Sequence, residues 1–412
     1  MKILAALVVL GLALAPAAMA ETTKPKPKPR PDKPRTEKPV TSPAPLAFNG
    51  GKCIDPAKTL TVAAVGDVLL HDMVQKWGAQ QKDGYAGLFK PTQDIIGAAD
   101  LAFANLEGPA AEGVASNGKE VRAPVSRYDK SVYRGYPMFN YHPSIVTDLK
   151  AAGFDILNTA NNHAMDRHQL GADKTIDAIK AAGLAHTGTR HRERMSAPWY
   201  AVTAVKAAGG TFHIAWLGCA YGTNGVPDRA SQVLNCWEAK DEIAKTVKEL
   251  AAKPDIHAVF VTPHWGNEYQ HKPEPRQNAW AKEMIAAGAT AIIGQHPHVM
   301  QPIEKVTTED GREGVVAYSL GNYVSNQISL PRLSSAILLL GLTPGANGKL
   351  AMAAIGWIPI RMVVRGGFYA EAVERSKDPA AKQNRDHLVR HLPEGNIHPA
   401  SLPFWRNQAC RS

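Results

Sequence analysis

The feature that most constrains the fold is a regular alternation, from about Thr59 onward, of short β-rich runs with amphipathic helical stretches. Such alternation is typical of a layered α/β domain, because each helix can cover one face of a sheet. The predicted strands span residues 60–65, 101–104, 156–158, 212–217, 258–262, 291–293, 314–318 and 336–340. The predicted helices span residues 143–152, 169–182, 239–252 and 275–287.

The chain divides by composition into four predicted segments. Residues 1–20 combine Lys2, an apolar run and the small-residue triplet ending at Ala20, which is typical of a secretory signal peptide cleaved after Ala20. Residues 21–52 form a basic Pro-rich linker, residues 53–368 one large domain, and residues 369–412 a C-terminal helix and tail. Because no later run approaches the roughly 18 apolar residues of a membrane span, we expect a periplasmic or secreted protein without a transmembrane segment in the mature chain.

The linker supplies half of the formal net charge of +10, with eight Lys or Arg residues against three Asp or Glu. Its Lys-Pro alternation favours extended polyproline II, since proline removes the backbone donors of helices and sheets. A solvated spacer and an arm that contacts an acidic polymer or the cell-envelope surface are both compatible with this pattern. The alternating stretch has no interleaved aromatic residues for base stacking, so we predict no nucleic-acid partner.

The four cysteines are Cys53, Cys219, Cys236 and Cys410. Export to an oxidising compartment favours two disulfides over a thiolate metal site, and the sequence contains no C-x-x-C spacing. Three pairings are possible. We favour Cys219 with Cys236, and Cys53 with Cys410, because the second bond would join the two ends of the folded body.

Clusters of polar residues follow the predicted strands directly, at positions that should form loops at the C-terminal edge of a sheet. Open α/β sheets bind their ligands at this edge. Residues 158–166 hold several amides, an imidazole and a carboxylate, and His296 and His298 form a His-x-His pair after the strand at 291–293. Taken singly, Asp67 could belong to a turn and His264 could be a buried structural histidine.

Taken together, these segments predict a metal site. Neutral imidazoles, carboxylates and an amide oxygen suit borderline or hard divalent ions, so Mn, Zn, Fe and Mg all remain open. Two ions about 3.5 to 4 Å apart could share a carboxylate and activate a water molecule. Neither G-x-S-x-G nor G-x-x-x-x-G-K-[ST] occurs in the chain, so a serine hydrolase or a P-loop enzyme is not predicted.

The ordered motifs GDVLLHD, ANLEG, NTANNHAMD, PHWGNEY, GQHPHVMQPIE and SLGNY span roughly residues 60–325. Together they resemble the bacterial capsule-synthesis family of CapA type, which is associated with poly-γ-glutamate. That family is similar to the calcineurin-like metallophosphatases. The resemblance implies an α/β fold, a four-layer α/β/β/α sandwich of two mixed sheets, with a site for two divalent metal ions on the loops at the strand ends.

The resemblance also implies roles for individual residues. The expected metal ligands are Asp67, Glu107, Asn162, His264, His296 and His298, with Glu107 as the bridge. Asp67 and His298 would bind the first ion, and the remaining three the second. His163 is similar to the histidine that protonates the leaving group, and Asp166 could orient it. Further candidate site residues are His71, Glu268 and Asn322.

Two functions remain open at this point. One is a metal-dependent hydrolase or transferase that acts on an anionic cell-envelope polymer or a phosphoester. The alternative is a non-catalytic polymer-binding or export module that retains the fold, and the lack of an Asp-x-His pair after the first strand supports it. The Arg- and Tyr-rich connection from Glu107 to Tyr141 could be a lid or binding surface, or a packed or disordered insertion.

Overall fold

The computed structural model describes residues 42–48 and 54–405. The strands of these residues are Leu60–Val68 (β1), Leu101–Leu106 (β2), Ile156–Asn158 (β3), Ala185–Thr187 (β4), Tyr200–Ala207 (β5), Gly210–Ala220 (β6), Ala258–His264 (β7), Ala291–Ile293 (β8), Ile303–Thr307 (β9), Glu313–Ala317 (β10), Asn322–Val324 (β11), Ser334–Pro344 (β12), Leu350–Val363 (β13) and Tyr369–Ala372 (β14). The α-helices are Asp72–Gln80 (α1), Gln93–Gly97 (α2), Ser144–Ala151 (α3), His168–Ala181 (α4), Lys240–Ala252 (α5), Pro275–Ala287 (α6) and Ala381–Leu388 (α7). In this part of the chain, no helix combines the length and the apolar character that crossing a bilayer requires.

The first sheet has the strand order β14-β13-β12-β1-β2-β3-β4, with β11 beside the end of β1. Strands β1 to β4 run parallel, whereas β12, β13 and β14 join by antiparallel pairing. One edge of β1 is shared by two strands. Its first half pairs with β12, where Leu60 lies opposite Leu342, and its end pairs with β11, where Asp67 lies opposite Asn322.

The second sheet has the order β5-β6-β7-β8-β10-β9. Its four central strands are parallel, and the outer strands β5 and β9 are antiparallel to their neighbours. Strand β7 is buried along its whole length, which explains its nearly continuous apolar sequence, since a central parallel strand is covered on both faces.

Three apolar cores lie between four layers of structure. The facing sides of the two sheets share one core, in which Phe103 of β2 stacks on Trp216 of β6 with ring centroids 5.5 Å apart. Helices α1 to α4 pack on the outer face of the first sheet through residues such as Val74 and Ile145. Helices α5 and α6 cover the second sheet. The predicted four-layer sandwich of two mixed sheets is therefore confirmed.

Two predicted boundaries differ from the structure. Residues 42–48 were expected to end the linker, yet Leu46 N–H donates to Asn396 Oδ1 at 2.7 Å and Phe48 is buried in the core between the sheets. The segment from Tyr369 was expected to start a charged helix, but it first forms β14 beside β13. Its alternate residues 370 and 372 are buried, which is the pattern of a half-buried strand.

The predicted Cys219–Cys236 disulfide is present and joins the end of β6 to the segment before α5. A disulfide is consistent with an oxidising, extracytoplasmic compartment. The predicted signal peptide, most of the linker and both partners of the predicted Cys53–Cys410 bond lie outside the described residues.

Candidate metal centre

A close approach of two backbone segments fixes the position of Asp67 at the end of β1. A Cβ atom at Gly66 would lie 1.9 Å from the carbonyl oxygen of Gly321, so only glycine fits there. Asp67 N–H donates to the same carbonyl at 3.0 Å. The buried Asp67 carboxylate accepts a hydrogen bond from Asn105 Nδ2 at 2.8 Å and lies 3.1 Å from His298 Nδ1.

Glu107, directly after β2, lies between two histidines. Its Oε1 is 3.6 Å from His264 Nε2 and 3.8 Å from His298 Nε2. Burial raises the pKa of Glu107, but these imidazoles lower it by more, so its pKa lies well below the ordinary carboxyl value. Both carboxylate oxygens are buried without a hydrogen-bond partner in the described structure. Because an unpartnered buried carboxylate is costly, this arrangement suits a bound cation.

His264 is the last residue of β7 and is fully buried. Its Nε2 lies 2.9 Å from Asn162 Oδ1, and its Nδ1 lies 3.3 Å from Asn105 Nδ2. The Asn162 amide nitrogen donates to Asn224 Oδ1 at 3.3 Å, which leaves the Asn162 oxygen directed at His264. His264 Nε2 and Asn162 Oδ1 are therefore two adjacent atoms that could bind the same metal ion.

The loop after β8 carries the other two histidines in an uncommon backbone conformation. His296 has φ +101° and His298 has φ +58°. Positive φ at a residue other than glycine costs about 1 to 3 kcal/mol and is concentrated at functional sites. The Nδ1 atom of His296 is buried without a hydrogen-bond partner in the described structure.

The pKa values of these two histidines are shifted in opposite directions. Burial and the neighbouring His264 and His298 hold the pKa of His296 well below its usual value. Burial also lowers the pKa of His298, but Glu107 and Asp67 outweigh it and raise the pKa to about 9. The two carboxylates thus favour the protonated form of His298.

The described residues form two overlapping groups of donors. One donor atom from each of Asp67, Glu107 and His264 lies within 4.8 Å of the others, and the same holds for Glu107, His296 and His298. Glu107 belongs to both groups. The donor set, imidazole nitrogen with carboxylate oxygen, is one that borderline divalent ions accept.

The predicted proton donor lies beside this cluster. His163 Nδ1 is 2.8 Å from Asp166 Oδ2, and the same oxygen accepts the Phe139 backbone N–H at 2.6 Å. The Phe139 ring packs edge-on against the imidazole with centroids 4.7 Å apart. Burial lowers the pKa of His163, but the Asp166 carboxylate more than compensates and the pKa is raised. The fixed Nδ1 contact leaves Nε2 as the atom that can exchange a proton.

The three further candidates occupy different positions. Asn322 is buried, and its Oδ1 lies 3.0 Å from His298 Nδ1. His71 directly precedes α1, and its ring packs against Phe139; burial together with His298 lowers its pKa to about 4. Glu268 is exposed. Neither His71 nor Glu268 belongs to the three-donor groups found among the described residues.

Several contributors to the site were missed from the sequence. Asn105 joins Asp67 to His264 through its amide, and its place at a strand end within ANLEG was the available signal. Tyr141 OH donates to the Glu107 backbone carbonyl in a short hydrogen bond. The C-terminal end of the insertion after Glu107 is buried and contributes Phe139 and Tyr141 to the site, whereas none of residues 115–131 is buried.

The fold and the site define a four-layer α/β protein with a buried histidine and carboxylate cluster that could bind metal. Residues 61–327 match the family described as bacterial capsule synthesis protein PGA_cap, and the chain belongs to this family. It is 30% identical over 274 residues to the capsule biosynthesis protein CapA of Bacillus anthracis, covering 65% of this chain and 60% of that protein. It is 29% identical over 297 residues to the PGA biosynthesis protein CapA of Bacillus subtilis (strain 168), covering 72% and 71%. The chain thus spans less than two thirds of the B. anthracis relative.

Similar solved structures include the NAD nucleotidase NadN of Haemophilus influenzae, with a TM-score of 0.42, 11% identity and coverage of 85% of this chain and 66% of that one. A phosphatase from Mycoplasma pneumoniae has a TM-score of 0.39 and 14% identity, with coverage of 80% and 99%. Likeness at this level carries no inference about activity.

Proposed function

We propose that this protein is an exported metal-dependent hydrolase or transferase that acts on an anionic cell-envelope polymer, of the poly-γ-glutamate type, or on a phosphoester. The observation that carries the proposal is Glu107, a fully buried carboxylate with no hydrogen-bond partner for either oxygen in the described structure, set between His264 and His298. Membership of the capsule synthesis family and the names of the two CapA relatives support the polymer class.

The residues fit two divalent ions. Asp67 and His298, whose donor atoms are 3.1 Å apart, would hold the first ion, and Glu107 would bridge to the second. The two three-donor groups instead place Asp67 with His264 and His298 with His296, so Glu107 is the shared ligand in either division. Asn162 and His264, whose donor atoms are 2.9 Å apart, would hold the second ion together with His296. Bound ions of this kind polarise a substrate oxygen and lower the pKa of bound water.

The proton needed by a leaving group would come from His163. Asp166 holds its Nδ1, so Nε2 carries the exchangeable proton. The Phe139 ring covers one side of the imidazole and restricts its rotation. A positioned imidazole of this kind contributes about 10² to 10⁴ in rate as a general acid.

A cationic side chain near the cluster, that of Arg332, supports the proposal that the substrate is anionic. Arg332 lies over the ring of Tyr269, with its guanidinium carbon 4.4 Å from the centroid, and that ring is 6.1 Å from the His298 ring. Arg332 Nε donates to Ser329 Oγ at 2.9 Å, which fixes the side chain and leaves its terminal nitrogens for a carboxylate or phosphate.

The test is turnover of poly-γ-glutamate, a phosphomonoester and a phosphodiester by the full chain with Mn²⁺, Zn²⁺, Fe²⁺ or Mg²⁺. We expect turnover with at least one combination of substrate and metal ion. His163→Ala should lower the rate by a factor of about 10² to 10⁴ with its metal content unchanged. His213→Ala, a histidine on β6 outside the cluster, is the matched control and should keep wild-type activity. Full activity in His163→Ala would refute the assigned role. Salt-sensitive polymer binding without turnover under any metal would refute the enzyme and favour a non-catalytic polymer-binding module.

A further inference from the structure

Three histidines outside the site described above converge on one point. His387 lies in the last turn of α7, and His391 lies in the turn that directly follows this helix, where its backbone N–H donates to the Leu388 carbonyl at 2.9 Å. His271 approaches them from the segment between β7 and α6. One ring nitrogen from each of the three lies within 4.8 Å of the others, and none of the three belongs to the cluster around Glu107.

The rings are close together, but those of His271 and His391 are nearly parallel, with an interplanar angle of 8°, so one of them must turn before both in-plane lone pairs can point at one ion. The His271 and His391 rings are stacked, with centroids 4.0 Å apart, and the His387 ring lies 5.1 Å from His271 and 5.0 Å from His391. Tetrahedral ligands at about 2.05 Å from a zinc ion are roughly 3.3 Å apart. The ring nitrogens lie within 4.8 Å of one another, so the required contraction is up to about 1.5 Å for each pair.

The hydrogen bonding of His271 is that of a metal ligand. His271 Nδ1 lies 2.8 Å from the Met300 carbonyl oxygen, which can only accept, so Nδ1 carries the proton and Nε2 keeps its lone pair. A ligating histidine commonly donates its second ring N–H to a backbone carbonyl in this way. His387 Nε2 is buried and has no hydrogen-bond partner in the described structure.

The charge state is also suitable. Burial and the neighbouring His271 lower the pKa values of His387 and His391 to about 4, so both rings are neutral at pH 7. Three neutral imidazoles without a carboxylate suit borderline d-block ions rather than Mg²⁺ or Ca²⁺.

We propose that His271, His387 and His391 form a second metal site, for Zn²⁺ or a similar divalent d-block ion, which fastens the C-terminal helix α7 to the segments that carry the main cluster. His271 lies on the chain that leaves β7 after His264, and its partner Met300 lies two residues after His298. An ion bound here would therefore connect α7 to the segments that follow β7 and β8. Three protein ligands leave a fourth position for water.

The experiment compares metal stoichiometry in the chelated and reloaded full chain. Zn²⁺ content is measured after dialysis for the wild type, for His271→Gln, His387→Gln and His391→Gln, and for the control His213→Gln, a partly exposed histidine on β6. We expect each of the three variants to bind one equivalent less than the wild type, and the control to equal the wild type. Because this is a difference, it does not depend on how many ions the main cluster holds or on any activity.

A spectroscopic measurement distinguishes the loss of this metal site from misfolding of a variant. Co²⁺ in a site of three imidazoles and water gives visible absorption bands, and we expect the wild type minus His391→Gln difference spectrum to show them while far-ultraviolet circular dichroism is unchanged. Equal Zn²⁺ stoichiometry in the wild type and all three variants would overturn the proposal and leave the three rings as a packing cluster. Loss of the equivalent in only one variant would overturn it as well, since all three ligands are required.

Discussion

Substituting Glu107 by Gln should abolish most of the stabilisation that the two proposed metal ions would give to the protein. The described body from Ile54 to Trp405 has about 350 residues, so its entropy of unfolding is about 0.7 kcal/mol/K at roughly 2.1 cal/mol/K per residue. An ion present at 100 times its dissociation constant adds about 2.7 kcal/mol. Each ion should therefore raise the unfolding midpoint by about 4 °C, and two ions by about 8 °C.

Glu107 belongs to both groups of donors, so the variant should weaken both ions. If the neutral amide costs about a hundredfold in affinity, the same metal concentration adds only RT ln 2, about 0.4 kcal/mol per ion. The expected shift then falls to about 1 °C in total. The assay is thermal unfolding with and without Mn²⁺ or Zn²⁺, with Glu309→Gln in the β9–β10 turn as a control that keeps the full shift. A wild-type metal response in Glu107→Gln would refute the assignment of this carboxylate as the shared ligand.

Two further predictions concern the metal-free fold. Burial lowers the pKa of His186 to about 4, so the unfolded chain binds its proton first as pH falls. The free energy of unfolding should therefore decrease by up to about 2 kcal/mol between pH 7.5 and 5.0 on account of this group, and urea titrations of His186→Gln should show a flatter pH dependence than the wild type; an identical slope would contradict the prediction. Gly66→Ala should lose more than about 2 kcal/mol, because its Cβ would meet the Gly321 carbonyl at 1.9 Å, whereas Gly97→Ala, with open space around the new Cβ, should change stability by less than about 1 kcal/mol. Similar urea midpoints for the two glycine variants would show that the backbone contact is not restrictive.

Elements with strong internal periodicity were predictable from the sequence. The four predicted helices and eight predicted strands are present with small shifts at their ends, because the helices carry apolar residues at the helical spacing and most of the strands are short apolar runs. Strand β13 was missed although it is long, since its small residues and Pro359 interrupt the apolar pattern. Strand β11 has three residues and is defined by its pairing with β1, which no local pattern reveals.

The candidate site was predictable where chemistry and position coincide. Six predicted ligands lie at strand ends or in the loops that follow them, and the structure brings them together because parallel strands end at a common edge. Glu268 was predicted as a possible additional site residue in the PHWGNEY motif; it is exposed and belongs to no three-donor group among the described residues, but its charge contributes to the raised pKa of His298. The contacts of Asn105 and Arg332 depend on neighbours far along the chain, so single-sequence reasoning could not assign them.

The division of one edge of β1 between β12 and β11 would link assembly of the sheet to the ion binding proposed above. A shift of β1 by one residue would turn the Asp67 side chain toward the opposite face of the sheet. It would also place a residue other than glycine beside the Gly321 carbonyl, where a Cβ atom does not fit. A misaligned chain would thus lack one carboxylate ligand and also carry a steric clash. Bound ions would stabilise only molecules in which β1 has its native pairing. Metal binding during folding would therefore favour the native register of this strand over a shifted one.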